Sequence, residues 1–354
     1  MVDDRFRNAF RFPGLDALRG ISILAVLWHH ATPRQLAGVL GRGHLGVQLF
    51  FSISGFLITT LLLRERRETG DVDLSRFWVR RALRLFPLYY VTLAGFVAFA
   101  WALPTSLPER AHFFQSLPFY VTHTANWFVD GRVTHPMLFA FAWSLSTEQQ
   151  FYLVWPSLIK RLREPVVLGV VLVLLIVADQ LLERRALGLH FSRSAFFVLT
   201  SFSASIALGA LAALLLEVGG SHRRFESWRP RAWLEVVCTA LVAFGVLSPP
   251  RHFIWFEGSL ALLVACAALA GDQGLWARLA KTACGELGRR SYGVYLFHVP
   301  VLGALRWVMP GLRAEPLPLF LLAVPVCWAL AELSHQHFEA RFLARRPRLE
   351  RQSI

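Results

Sequence analysis

Arg19 and His30 stand in LDALRGISILAVLWHH, a stretch otherwise suited to the interior of a bilayer. At about 100° per residue they fall within about 20° of each other on one helical face, with His30 roughly 16 Å further along the axis. His29 points about a quarter-turn away. Asp16 shares the face of Arg19 one turn earlier, where an ion pair is expected. An imidazole titrating near neutrality is suited to take a proton from a hydroxyl. The same pattern also fits an interfacial histidine and an arginine that snorkels to the surface.

Three further stretches carry polar chemistry in apolar surroundings, where each ionisable group costs on the order of 2.5–3.5 kcal/mol. In SRFWVRRALRLFP, Arg81 and Arg84 are one helical turn apart. Two guanidinium groups at that spacing suit a phosphate or pyrophosphate. They equally suit topology-setting charge and lipid headgroups, the reading that fits Arg76 and Arg80. In WSLSTEQQFYLVWP, Ser144, Glu148 and Tyr152 recur every four residues and share a face, with Trp155 close by. Glu148 can orient a histidine, act as a base, or hold another helix through Arg306 or Arg19. In GRRSYGVYLFHVP, Ser291, Tyr295 and His298 form one polar face. His298 is expected in the inner half of the membrane, with a satisfied packing histidine as the plainer reading. GVQLFFSISGFLI adds Ser52, Ser54 and Gly55, small residues that let helices approach closely. Ser54 as a nucleophile has no motif behind it. Together these residues make a column: Arg81, Arg84 and Arg19 towards the inside, His298 and Glu148 towards the middle, His30 towards the outside. Such a column fits a conduction pathway, or an enzyme whose donor and acceptor lie on opposite sides.

The elements that must position them are membrane helices. The chain has 354 residues, 55% hydrophobic and only 17% charged, against about 25% charged in an ordinary soluble domain. Mean hydropathy is +0.47. Apolar runs near the ~20 residues of a membrane span recur almost end to end. Helices are expected at 15–33, 45–63, 85–103, 136–159, 165–182, 195–216, 232–248, 253–270, 291–309 and 317–335. That is an all-α polytopic transmembrane bundle of about ten helices, a single domain over 1–354. These runs are too long and too non-alternating for barrel strands.

The net charge of +14 sits between the runs: at Arg64–Arg84, Lys160–Arg163, Arg223–Arg231, Arg278–Arg290 and from Arg341 onward. Placing those clusters inside, by the positive-inside rule, puts both termini in the cytoplasm. A nucleic-acid binder would gather its basic residues on a soluble face, so nucleic acid is not expected as a partner. The stretch 104–135, polar, aromatic and broken by proline, is expected outside and partly re-entrant; a hidden span there would invert everything after it. The four cysteines, Cys238, Cys266, Cys284 and Cys327, form no CxxC pair and are expected as small core or lipid-facing residues, with neither metal nor disulfide. The first apolar run holds Asp16, Arg19 and two histidines, unlike a cleaved signal peptide.

At these same residues the sequence resembles the acyltransferase-3 family of membrane O-acyltransferases. The matches come in order: FPGLDALRGISILAVLWHH, GVQLFFSISGFLI, FWVRRALRLFP, WSLSTEQQFYLVWP, SYGVYLFHVP and HFEARFLARR. The resemblance implies a ten-helix core and transfer of an acyl group, usually acetyl from acetyl-CoA, to a hydroxyl of an envelope glycan, lipid-linked sugar or small molecule. It places the family's Arg-x10-His on Arg19 and His30, its Arg-x-x-Arg on Arg81 and Arg84 facing cytosolic acyl-CoA, its glutamate on Glu148, and its late histidine on His298. A C-terminal family glutamate aligns with Glu339, where Arg341 replaces the usual proline. Some members carry a fused extracytoplasmic hydrolase-like domain. Here no room is expected for one after Arg341, so such an acyl-handling partner would be a separate protein.

The expectation is therefore a multi-pass acyltransferase of the bacterial inner membrane, an O-acetyltransferase first, with acyl-CoA as co-substrate and no metal. His30 serves as base and Glu148 orients it or polarises the site. Arg19, Arg81 and Arg84 meet acyl-CoA, and Ser54, Ser144, Tyr295 and His298 line the path or hold the structure. A small-molecule acyltransferase, such as one acting on a macrolide, and a transporter or flippase of sugar-linked lipids are the alternatives. The absence of an internal repeat weighs against the latter.

Overall fold

The structure, a computed structural model, describes residues 6, 9, 11–32, 42–129, 138–183, 203–218, 232–248 and 254–345. Residues 130–137 and 195–202 of the expected elements, and Arg5, Arg7, Arg223, Arg224, Arg229 and Arg231 of the expected inner clusters, lie outside the described residues. Every regular element among the described residues is helical. In order they are α1 (Pro13–Ala31), α2 (Leu45–Thr69), α3 (Leu74–Ala102), α4 (Pro108–Val121), α5 (Ala125–Phe128), α6 (Ala142–Arg161) and α7 (Pro165–Glu183). There follow α8 (Ala204–Val218), α9 (Ala232–Leu247), α10 (Ile254–Leu269), the short α11 (Leu275–Leu279) and α12 (Ala283–Arg289), and α13 (Ser291–Val308). The chain ends in α14 (Pro316–Ser334), which runs through a π turn at His335–Glu339 into α15 (Ala340–Leu343).

Four stretches are long and apolar enough to cross a bilayer on their own: Leu45–Thr69, Leu74–Ala102, Pro165–Leu182 and Pro316–Leu343. The apolar helices α8, α9 and α10 are shorter. Large apolar side chains stand outward on these elements, among them Trp101, Val166, Leu174, Phe244 and Leu321. An apolar exterior of this extent is at home in lipid rather than water.

Two segments depart from the hydropathy reading. α3 starts at Leu74, well before the apolar run at 85, because Asp73 caps it: its carboxylate accepts the Arg76 backbone N–H at 2.9 Å. That bond and one from the Ser75 hydroxyl hold the Asp73 carboxyl below the usual carboxylate range. Hydropathy marks the bilayer, whereas the helix runs on through the arginines. Within the stretch 104–135, the described residues 104–129 are largely helical, as α4 and α5. Pro108 occupies the first turn of α4, where its missing N–H costs nothing, and so starts a helix instead of breaking one. The hydroxyls of Tyr89 and Tyr90 donate to the carbonyls of Tyr120 (2.7 Å) and Val121 (3.0 Å), fastening the end of α4 to α3.

Backbone-close contacts fix the bundle around the future site. Gly55 of α2 and Gly209 of α8 interlock: a Cβ on the first would collide with the Ile206 carbonyl, and on the second with the Ser52 carbonyl. Gly55 thus has the packing role expected of it. Gly20 of α1 and Gly288 of α12 make a second such pair, against the carbonyls of Cys284 and Asp16. Buried in the first interface's far end, Glu217 accepts from Arg64 (2.6 Å) and Arg67 (2.8 Å), a pair the sequence did not single out. The cysteines are free; Cys238 and Cys266, remote in sequence, bring their sulfurs to 3.8 Å between α9 and α10.

Candidate active site

Arg19 sits in the third turn's reach of Asp16, which it meets at 3.5 Å. The expected ion pair is present, but Asp16 is shared: Arg11 binds its other oxygen at 2.6 Å. Arg19 is therefore only lightly engaged, and it faces an open cleft. α3 supplies Arg81 and Arg84 to the same cleft, α2 supplies Ser54, α6 supplies Ser144, Glu148 and Tyr152, and α13 supplies Ser291, Tyr292 and Tyr295. Arg84 is exposed and Arg81 half-buried, so the arginines mark the mouth.

Cross-helix hydrogen bonds set the register of these walls. The Trp78 indole donates to the Tyr152 carbonyl at 3.1 Å, joining α3 to α6. The Tyr292 hydroxyl donates to the Leu85 carbonyl at 2.6 Å, joining α13 to α3 next to Arg84. Arg81 lies over the rings of Phe77 and Tyr152, its Cζ 5.5 Å from each centroid. Among the described residues, neither Arg81 nor Arg84 forms an ion pair or a hydrogen bond. Three guanidinium groups therefore confront one carboxylate, Glu148, across a single cleft. That excess of positive charge, presented by forked donors, suits a phosphate-bearing ligand.

The floor of the cleft is a hydroxyl–carboxylate cluster. Glu148 accepts from the hydroxyls of both Ser54 and Tyr152, which also touch each other. Ser144 and Tyr295 exchange a hydrogen bond at 2.7 Å, and the Tyr295 hydroxyl donates to the Phe141 carbonyl at 2.9 Å. The four-residue spacing of Ser144, Glu148 and Tyr152 thus does put them on one wall. One expectation is corrected here. Glu148 makes no hydrogen bond or ion pair with His30, Arg19 or Arg306 among the described residues; both of its hydroxyl partners bind the one oxygen Oε1. Ser54, which had no motif to recommend it, is a partner of that carboxylate.

His30 and His298 lie beyond this floor, and they lie together. Their rings meet edge to face with centroids 4.6 Å apart. His298 was expected in the inner half, level with Glu148; it is instead level with His30. α13 begins at Ser291 inside the cleft, and seven residues at about 1.5 Å each carry His298 roughly 10 Å past it. Arg306 holds the two helices in this alignment, donating to the carbonyls of His30 (2.8 Å) and Ala31 (3.1 Å) at the open end of α1. His30 is half-buried, whereas His298 is wholly enclosed among His30, Phe141 and Tyr295. His29 touches His30 edge to face at 5.1 Å. Glu339, in the π turn, accepts a hydrogen bond from the Ser334 hydroxyl at 3.3 Å.

Chemically, a cationic mouth leads to a polar floor, and past that to a pair of imidazoles. The arrangement can bind an anionic carrier at one end and abstract a proton at the other. A family model described as an acyltransferase domain, of acyltransferase type 3, matches residues 12–332. A Staphylococcus aureus (strain COL) protein carrying the name "Putative O-acetyltransferase" is 35% identical over 164 residues, 45% of this chain and 26% of that protein. The O-acetyltransferase OatA of Staphylococcus aureus (strain NCTC 8325 / PS 47) is 25% identical over 348 residues, 92% of this chain and 56% of that protein. The chain thus spans about half the length, or less, of these curated relatives. No solved structure matches it.

Proposed function

Because the chain belongs to the acyltransferase-3 family, we propose that it is a membrane O-acyltransferase that moves an acetyl or other short acyl group from cytosolic acyl-CoA to a hydroxyl of an envelope glycan or lipid-linked sugar. One observation carries the donor side: Arg19, Arg81 and Arg84 converge from two helices on one cleft with a single carboxylate between them. In this reading the phosphates of CoA engage those arginines at the inner mouth, and the thioester extends past Ser144 and Tyr295. The acceptor hydroxyl approaches from the outer side. His30 Nε2 takes its proton as the oxygen attacks the thioester carbonyl; the carbon–sulfur bond breaks, and the CoA thiolate leaves and recovers the proton. Glu148 neutralises part of the arginine charge and holds Ser54 and Tyr152 in place. The enzyme is multi-pass in the bacterial inner membrane, with about ten spans and both termini cytoplasmic.

His30→Ala tests it. Purified in detergent and given acetyl-CoA, with an N-acetylglucosamine oligomer as the hydroxyl acceptor, the wild type releases CoA. The variant, at equal expression and unchanged unfolding midpoint, should lose on the order of 10²–10⁴-fold in turnover, as removal of a general base does. CoA release at the wild-type rate would remove His30 from the chemistry.

A further inference from the structure

His298 is the ring that this reading leaves without a task. Its Nδ1 contacts the Tyr295 backbone carbonyl, and His30 makes the equivalent bond, Nδ1 to the Val26 carbonyl, at 2.9 Å. A carbonyl oxygen only accepts, so each Nδ1 must carry the hydrogen, and in each neutral ring Nε2 must carry the lone pair. Two helices have therefore fixed the same tautomer in two touching imidazoles. The His298 Nε2 has no hydrogen-bond partner among the described residues, and the residue is 0% exposed. A buried acceptor left unpaired is costly and calls for a role. His30 is half-buried, whereas His298, packed against it, is fully buried.

We infer that His298 is a positioning residue that acts through His30, on the reading that His30 is the general base. When His30 takes the acceptor's proton its ring becomes a cation, pinned at Nδ1 by Val26. The neutral ring of His298, its centroid 4.6 Å from that of His30 and its Nε2 unpaired among the described residues, lies beside that charge, next to Phe141 and Tyr295. A fixed acceptor beside a charge that exists only during reaction accelerates the step without tightening ground-state binding. The proton itself goes from the acceptor hydroxyl to His30 Nε2 and on to the departing thiolate; His298 gains and loses none.

The test compares His298→Phe, which keeps a ring and most of the volume but no lone pair, with His298→Gln, which restores an accepting oxygen. Both are assayed as full-length protein by CoA release from acetyl-CoA with the same oligomer. For the phenylalanine variant kcat should fall about 10–100-fold while the KM for acetyl-CoA stays within twofold, and glutamine should recover at least a third of the lost rate on a logarithmic scale. Equal loss in both variants, a KM effect alone, or full activity in His298→Phe would overturn the inference. Solid-state ¹⁵N spectra of histidine-labelled wild type provide a readout that no folding defect can blur: both rings should show protonated Nδ1 and bare Nε2, and a protonated His298 Nε2 would sink the idea. If His30→Ala loses turnover while His298→Phe keeps the wild-type kcat, the inference alone has failed. If His30→Ala remains active, the parent reading has failed.

Discussion

Arg81 and Arg84 combine a place in the cleft with the absence of any ion pair or hydrogen bond among the described residues. Arg64, Arg67 and Arg290 are each paired with a buried or half-buried glutamate, and Arg66 is spent on the carbonyls of Ile159 and Leu162. The two cleft arginines keep their forks free for a ligand. A charge-assisted hydrogen bond is worth about 1.5–3 kcal/mol, or roughly 10–100-fold in affinity. Lysine retains the charge but not the bidentate geometry. Arg81→Lys and Arg84→Lys should therefore each raise the KM for acetyl-CoA about tenfold or more and leave kcat within about twofold. A fall in kcat at constant KM would show that these groups act on the chemistry instead. Glu148→Gln keeps an acceptor for Ser54 and Tyr152 and removes one negative charge from the arginine cleft. Turnover should then drop by less than about tenfold, far below the loss at His30; a collapse of the size seen at His30 would restore Glu148 as the base.

At the scale of elements, the site depends on helices that approach to backbone contact. Gly209→Leu in α8 drives a side chain into the Ser52 carbonyl, two residues from Ser54. Overpacking of this kind costs about 1–3 kcal/mol, so the unfolding midpoint in detergent should fall. Gly258→Ala in α10 meets nothing within 4 Å and should not lower it; equal effects at both positions would mean that the α2–α8 contact is not a determinant of stability. The shared faces of α1, α6 and α13 were legible in the sequence, since helical spacing alone places Arg19 with Asp16, and Ser144 with Glu148 and Tyr152. Depth was not. Whether His298 stands level with Glu148 or with His30 depends on where α13 starts relative to α1, and the Gly20–Gly288 contact between α1 and α12 and the Arg306 bond set that offset. Such contacts join residues more than 250 positions apart, and no local pattern announces them. The same holds for Ser54 against Glu148 and for Arg64 against Glu217, where the partner lies on another helix.

For the whole molecule, the orientation assigned from charge acquires a geometric counterpart. The C-terminal ends of α2 (Arg64, Arg66, Arg67) and α6 (Lys160, Arg161) are both basic, and they are fastened to each other: Lys160 meets the Asp71 carboxylate and the Val72 carbonyl, each at 2.8 Å, while Arg66 reaches Ile159 and Leu162. Two of the clusters that the positive-inside rule places in the cytoplasm therefore share one end of the bundle, and the mouth of the arginine cleft opens beside them, one to three turns into α3. With 29 residues, α3 is roughly 43 Å long, more than a hydrocarbon core of about 30 Å, so as a membrane span it would put its two ends on opposite sides. Asp71, just before it, and Thr105, just after it, are both exposed. In a background with the four native cysteines replaced by alanine, Thr105→Cys should react with a membrane-impermeant maleimide in intact spheroplasts, and Asp71→Cys only in inverted vesicles. The reverse pattern would place the arginine mouth outside, away from cytosolic acyl-CoA, and would overturn the donor side of the proposed reaction together with the orientation.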